Sequence, residues 1–286
     1  MKTSELFGKK TIFSLEIFPP KKTSPVEAIY KTLDDLQELS PDFISVTYGA
    51  GGSLKDNATV KIAKDIKKQY NLESVAHLTC VGSTFADIKA TLEKLTSDNI
   101  DNVLALRGDL PATKEPLAND FLYASDLVAF IKKHSNLNII GACYPEGHHE
   151  AGGLENDIRN LKNKVDAGVS HLITQLFFDN NHFYRFRDRL CKAGINVPVE
   201  AGIMPVINKT QIERMVSLCK VDLPKKFTSM MARYENNHEA MIDAGTVYAA
   251  EQITDLISNG VDGIHLYTMN NAPLAKRIKG MLGSLI

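Results

Sequence analysis

Asn102-Val103-Leu104-Ala105-Leu106-Arg107-Gly108-Asp109-Leu110-Pro111 runs from an apolar strand straight into two opposite charges around a glycine. A run as apolar as Val103–Leu106 reads as a strand covered on both faces, the habit of parallel sheets flanked by helices. In such folds ligands gather at the carboxyl ends of the strands. Arg107-Gly108-Asp109 would place both signs of charge there, beside a backbone that a ligand can approach closely. Taken alone, the tripeptide is first of all a solvated turn with a local ion pair. The other strands reverse that ordering.

Seven more runs of the same kind surround it: Thr11–Phe18, Phe43–Tyr48, Val75–Thr79, Asn138–Tyr144, His171–Phe178, Val197–Met204 and Gly263–Thr268. Segments of helical spacing lie between them, such as Val26, Ile29, Leu33, Leu36 and Leu39, or Ile158, Leu161 and Val165. Gly168 and Gly194 follow two of these segments, where a helix end favours positive φ. Strands recur about every 30 residues, the size of one βα unit. The last interval is longer and holds helical segments at Lys209–Cys219, Pro224–Tyr234 and Glu239–Ser258. Eight such units without a linker predict one α/β domain over 1–286, a (β/α)8 TIM barrel with extra helices between strands 7 and 8. A doubly wound open sheet is the alternative.

Composition excludes several function classes. The formal charge is −1 with no basic block, so neither nucleic acid nor an anionic membrane is an expected partner. No apolar run approaches the roughly 20 residues of a membrane span, and the N-terminus lacks a signal-peptide core. Cys80, Cys143, Cys191 and Cys219 are scattered without a CxxC pair, and Cys80 and Cys143 sit within or beside apolar strands, which suggests buried thiols in a reducing cytoplasm.

In a barrel, the strand tips would bring together Glu16, Thr47-Tyr48-Gly49-Ala50, His77, Arg107-Gly108-Asp109, Tyr144, Gln175 and Tyr267. The strand interiors read as apolar, and that many polar or aromatic tips exceed what a folded surface requires. Glu16 lies in Phe13-Ser14-Leu15-Glu16-Ile17-Phe18, ahead of Pro19-Pro20, which turns the chain out of the sheet. Aliphatic and aromatic neighbours would raise its pKa and keep it protonated as a general acid. The alternative is a glutamate paired to a buried lysine or arginine. His77 reads either as a satisfied core histidine or as a site residue. His148-His149-Glu150 is dense in ligand types but not in HExxH spacing; it sits in the glycine-rich loop Pro145–Gly153, better suited to covering a ligand than to holding a metal. No metal is expected. No GxGxxG or P-loop pattern follows a strand, so a dinucleotide would need another cradle. After that loop, Asp157, Asn160 and Lys164 recur on one helix face, as a solvated stripe or as a cation for phosphate.

These motifs resemble 5,10-methylenetetrahydrofolate reductases of the bacterial, FAD-dependent type. The matching segments include SLEIFPP (14–20), FISVTYGA (43–50), AHLTC (76–80), LALRGDLP (104–111), YASDLV (123–128), KVDAG (164–168), ITQLFFD (173–179), YRFRDR (184–189), GIMPV (202–206) and HLYTMN (265–270), in family order along nearly the whole chain. The resemblance implies FAD contacts at Tyr48, Ala50, His77, Arg107, Gly108, Asp109, Tyr123, Ala124, Tyr144, His148, Asp157, Asn160 and Lys164. It implies Thr47 and Gln175 for the NADH or NADPH donor. Asp109, Gln175, Gln211 and Tyr267 would meet the folate, and Glu16 would be the general acid of a ping-pong hydride relay feeding methionine synthesis.

Two positions depart from the pattern. Relatives often carry arginine after the YT-x-N segment, where it meets the folate's glutamate tail; here the residue is Asn271. An aromatic that stacks on the ligands in some relatives aligns with Met215. The resemblance further implies a cytoplasmic homo-oligomer, and no regulatory domain is expected after Ile286. The competing functions are another flavin-dependent barrel oxidoreductase and a non-enzymatic folate-binding barrel.

Overall fold

The computed structural model describes residues 1–20, 27–48, 58–110, 118 and 120–286, the side chains of Arg214 and Leu218 excepted. Eight parallel strands close a barrel in sequence order: β1 (Ile12–Ile17), β2 (Phe43–Val46), β3 (Glu73–Thr79), β4 (Asn102–Leu106), β5 (Asn138–Cys143), β6 (His171–Thr174), β7 (Val199–Ile203) and β8 (Gly263–Tyr267). Closure is made by β1 against β8, with Ser14 beside His265 and Glu16 beside Tyr267. The barrel expectation holds, and the open sheet is excluded.

The helices follow the predicted spacing: α1 (Glu27–Gln37), α2 (Ala58–Gln69), α3 (Phe85–Ser97), α4 (Ala124–His134), α5 (Leu154–Asp166) and α6 (Asn180–Lys192). Between β7 and β8 lie α7 (Lys209–Cys219), α8 (Lys225–Tyr234) and α9 (His238–Ser258), and α10 (Ala272–Leu282) ends the set. Ile29, Leu33 and Leu36 of α1 are buried at i, i+4 and i+7, each contributing roughly 1.5–3 kcal/mol of burial. Gly168 and Gly194 both take positive φ, +128° and +69°, where the chain leaves α5 and α6.

Period-two alternation divides each strand between two cores. Phe13, Leu15 and Ile17 of β1 join the large cluster under the helices. Ile12 joins Phe43, Val75, Leu104, Ile140 and Ile173 inside the barrel. The amino-terminal end of the barrel is plugged by a 3₁₀ turn at Thr3–Glu5. There Asn102 accepts from the Thr3 N–H at 2.8 Å, Asn138 donates to Asn102 at 3.0 Å, and Phe7 packs on His171 with ring centroids 4.8 Å apart.

The interior is not apolar throughout, which corrects one expectation. Ser14, His77, His171, Glu200 and His265 are buried there, placed on inward positions of β1, β3, β6, β7 and β8. Ser14 Oγ, Glu200 Oε2 and His265 Nδ1 are hydrogen-bonded there, while His77 Nε2, His171 Nε2 and Glu200 Oε1 face a polar atom without a hydrogen bond.

Candidate active site

An elongated cleft crosses the carboxyl ends of the strands. One arm, ≈ 500 Å³, is lined by Glu16, Thr47, Tyr48, His77, Arg107, Gly108, Asp109, Gln175 and Tyr267 among others. The other, ≈ 580 Å³, is lined by Tyr123, Ala124, Glu150, Asp157, Asn160 and Lys164 among others. Leu106, Arg107, Ala142, Tyr144 and His148 belong to both arms, so the two form a single depression. Nearly all the sequence-predicted site residues are thereby brought together. Gln211 lines neither arm: its side chain accepts from the Ile207 N–H at 3.1 Å and donates to the Pro205 carbonyl at 3.5 Å. Ala50 lies outside the described residues.

The end of β4 shows why glycine stands between the charges. Gly108 has φ +87°, and a Cβ there would sit 2.9 Å from Val81 Cγ1 and 3.1 Å from Thr79 Cβ. The turn passes tightly over β3 and aims Arg107 across the cleft. Its Nη1 donates to Glu150 Oε2 at 2.5 Å, so the ion pair is made with the glycine-rich loop rather than within the tripeptide. Hydrogen bonding from Arg107 holds the Glu150 carboxyl below its ordinary range.

The second arm carries a cation near its wall. Lys164 donates to the Ala142 carbonyl, and burial lowers its ammonium pKa, opposed by Cys143 and Asp157. Asp157 is buried, which raises its carboxyl pKa, and burial pushes the Tyr144 hydroxyl up to about 12. Tyr144 meets the His148 ring edge-on at 4.7 Å. The face bearing Asp157 and Lys164 is therefore a cleft wall, not a solvated stripe, while Asn160 stays exposed at its rim.

At the floor of the first arm, Glu16 Oε2 faces His77 Nε2 and His265 Nε2, each at 3.5 Å. Its partners are two imidazoles, neither the aliphatic surroundings nor the lysine or arginine that the sequence suggested. Burial lowers His77 to about 4, so this ring is neutral near neutral pH. Tyr267 closes the floor, donating to the Thr174 carbonyl at 2.6 Å. It can lie there because position 202 is glycine: a Cβ would be 2.3 Å from the Thr174 oxygen and 2.7 Å from Tyr267 Cε2.

A hydrogen-bonded chain runs down from Glu16 into the barrel. His265 Nδ1 lies 2.6 Å from Ser14 Oγ, and Ser14 Oγ donates to Glu200 Oε2 at 2.6 Å. Below it, His171 Nε2 is 3.5 Å from Glu200 Oε1. Burial pushes Glu200 up to about 7 and His171 down to about 3. Sequence reading missed Ser14, His171, Glu200 and His265 by treating the strand interiors as apolar. The available signal was a charged or imidazole side chain at inward parity in runs such as Val197–Met204 and Gly263–Thr268.

The described residues do bring one ligand-type trio within 4.8 Å, Glu146, His182 and Asp222, which shares the glycine-rich loop through Glu146 but none of His148, His149 and Glu150. His182 Nδ1 faces Arg185 Nη2 at 3.4 Å and its Nε2 faces Asp222 at 3.6 Å. An Nδ1 that accepts from a guanidinium leaves the one ring proton on Nε2, so the neutral ring turns an N–H, not a lone pair, toward the Asp222 carboxylate, which disfavours ligation.

A closed barrel whose strand ends line a polar cleft, with an acid at its floor and cations along its walls, is the architecture of a small-molecule enzyme. The family model for methylenetetrahydrofolate reductase matches residues 2–283. The 5,10-methylenetetrahydrofolate reductase of Pectobacterium carotovorum subsp. carotovorum is 36% identical over 280 residues, covering 98% of this chain and 92% of that protein. The Escherichia coli (strain K12) reductase of the same name is 37% identical over 270 residues, covering 94% and 90%. An Arabidopsis thaliana protein, methylenetetrahydrofolate reductase (NADH) 1, is 37% identical over 275 residues, 91% of this chain and 46% of its own length. Among solved structures, a Clostridium thermocellum protein that binds two copies of 5-methyl-5,6,7,8-tetrahydrofolic acid superposes with TM-score 0.63 at 13% identity, covering 95% of this chain and 93% of its own, a likeness of fold.

The chain belongs to the methylenetetrahydrofolate reductase family. It is an oxidoreductase, and the family reaction is the reduction of methylenetetrahydrofolate. No helix among the described residues is long and apolar enough to cross a membrane.

Proposed function

We propose that the cleft binds FAD and serves NADH or NADPH and 5,10-methylenetetrahydrofolate in turn, producing 5-methyltetrahydrofolate for methionine synthesis. The observation that carries this reading is the cleft itself: one carboxyl group at the floor of its first arm, and cations along the second. A flavin dinucleotide needs an elongated slot with positive charge for its pyrophosphate. Arg107 and Lys164 line the slot and fit that demand. When bound, FAD supplies the hydride chemistry that no side chain possesses, accepting two electrons from the donor and returning them to the folate carbon.

The protein's own residues do the rest. Tyr48, Ala50, His77, Gly108, Tyr123, Ala124, Tyr144, His148, Asp157 and Asn160 complete the cofactor contacts. Thr47 and Gln175 position the nicotinamide donor, and Asp109, Gln175 and Tyr267 meet the folate, with Gln211 joining them by giving up the bonds to its own loop. Glu16 gives a proton to a nitrogen of the five-membered ring, and the C–N bond breaks to leave a cationic iminium. An unopened aminal is a poor hydride acceptor, so this proton is indispensable. Asp109 stabilises the cation electrostatically. The bacterial relatives and the thiols of Cys80 and Cys143, which burial keeps protonated, support a cytoplasmic setting, and family resemblance supports a homo-oligomer.

The purified protein is expected to be yellow, to bleach anaerobically with NADH, and to recover its colour on adding methylenetetrahydrofolate. A protein that holds no flavin and cannot be reconstituted with FAD would overturn the proposal. Lys164→Met should weaken FAD binding by about 10- to 100-fold in a fluorescence titration, the loss of one charge-assisted phosphate contact. Unchanged affinity would remove Lys164 from the cofactor site.

A further inference from the structure

We propose that Glu200, deep inside the barrel, is a positioning residue for the reaction: through Ser14 it sets which nitrogen of His265 carries the proton, and so holds the transferable proton on Glu16. The inference rests on the reading of Glu16 as the acid.

The argument is one of donors and acceptors. An ionised carboxylate can only accept, so Ser14 Oγ–H must point at Glu200 Oε2, 2.6 Å away. With its one proton committed, the hydroxyl can only accept from His265, whose Nδ1 stands 2.6 Å off. That nitrogen therefore carries the ring proton, and Nε2 is bare. Bare Nε2 faces Glu16 Oε2 at 3.5 Å. A bare nitrogen beside a carboxylate would set lone pair against lone pair, whereas a protonated carboxyl supplies the missing hydrogen. The ionised group at the bottom of the chain thus favours a protonated group at the top.

Reversed, the same four groups disarm the site. If Glu200 does not accept, Ser14 is free to donate to Nδ1, His265 carries its proton on Nε2, and Glu16 is held as a carboxylate. His77 does not replace His265: its Nε2 also lies 3.5 Å from Glu16 but lacks a hydrogen-bonded partner to fix it. The groups facing Glu200 are His265, Ser14, His171, Asp42 and Asp262; those facing His265 are Glu16, Glu200, His77, His171 and the Tyr267 ring. Burial pushes Glu200 up to about 7, with Asp42 and Asp262 adding to the rise and His265 and Ser14 opposing it. The chain is therefore best read above that value.

The test needs neither flavin nor folate. In protein carrying ¹⁵N-histidine at about pH 8.5, safely above the Glu200 titration, long-range ¹H–¹⁵N spectra report the tautomer of each ring. His265→Gln identifies the His265 signals. The expected result is the Nδ1–H form in the wild type and the Nε2–H form in both Glu200→Leu and Ser14→Ala, with Glu200→Gln retaining Nδ1–H because its amide oxygen still accepts. A wild type already in the Nε2–H form, or Nδ1–H surviving in Glu200→Leu, overturns the proposal. Should Glu200→Leu fail to fold, Ser14→Ala decides by the same criterion, since it leaves Glu200 in place. In the flavin-loaded enzyme, Glu200→Leu should slow folate reduction about tenfold and leave flavin reduction by NADH within about twofold. A wild type without reductase activity would sink the functional reading and leave the tautomer result standing.

Discussion

Glu16→Gln is expected to lower folate reduction by about 10³-fold or more while flavin reduction by NADH stays within about twofold. The two half-reactions make different demands on the same cleft. Hydride delivery to a flavin needs no proton from Glu16, whereas opening the folate ring does. Glutamine keeps the shape of Glu16 and its capacity to hydrogen-bond His265, so the barrel floor should stay in place. Stopped-flow measurement of each half-reaction separates the outcomes. Equal loss in both would mean that Glu16 supports the flavin site and is not the acid.

Gly202→Ala should destabilise the fold by about 3 kcal/mol, because the new methyl group meets two neighbours that cannot move independently. One is the backbone oxygen of Thr174 on β6, 2.3 Å from the Cβ, and the other is the Tyr267 ring on β8. Tyr267 is itself anchored to that same oxygen through its hydroxyl. Relief at one contact therefore tightens the other. Urea unfolding followed by circular dichroism provides the measurement, with Gly280→Ala on α10 as the control. A Cβ at position 280 meets nothing within 4 Å, so alanine there should be neutral or stabilise by about 0.5 kcal/mol. Equal midpoints for the two variants would show that β7 can yield, and that the small residue at 202 is not what seats Tyr267.

The barrel was legible because every strand announces itself by an apolar run and every helix by its spacing. Even the three helices between β7 and β8 fall close to where the periodicity puts them, α7 at the predicted bounds. The cleft was legible because its residues sit at strand ends, where a barrel has to collect them. Three features were not. The partner of Arg107 is Glu150, distant by 43 positions, and no local pattern links a strand tip to a loop that far along. The resemblance implies a folate contact for Gln211, yet its amide bonds backbone oxygen and nitrogen of its own loop, which only coordinates reveal. The interior chain escaped because an inward glutamate in an apolar strand reads as an isolated anomaly; it makes sense only when β1, β7 and β8 are known to be neighbours.

The seam between β1 and β8 carries one last implication. Thr268 and Asn270, just past β8, bond the backbone of Glu16 and Phe18, and Asn270 takes both the Phe18 N–H and its carbonyl. Glu16, the proposed acid, thus comes from the first strand, and the His265 imidazole and the clasp that holds its backbone from the last strand and the turn after it. Until β8 is in place during synthesis or refolding, Glu16 lacks both His265 and the backbone clasp and has only His77 beside it. On the proposed function, competence would arrive with the final strand. Recovery of folate reduction, timed against recovery of secondary structure, would serve as a clock for the moment the ring shuts.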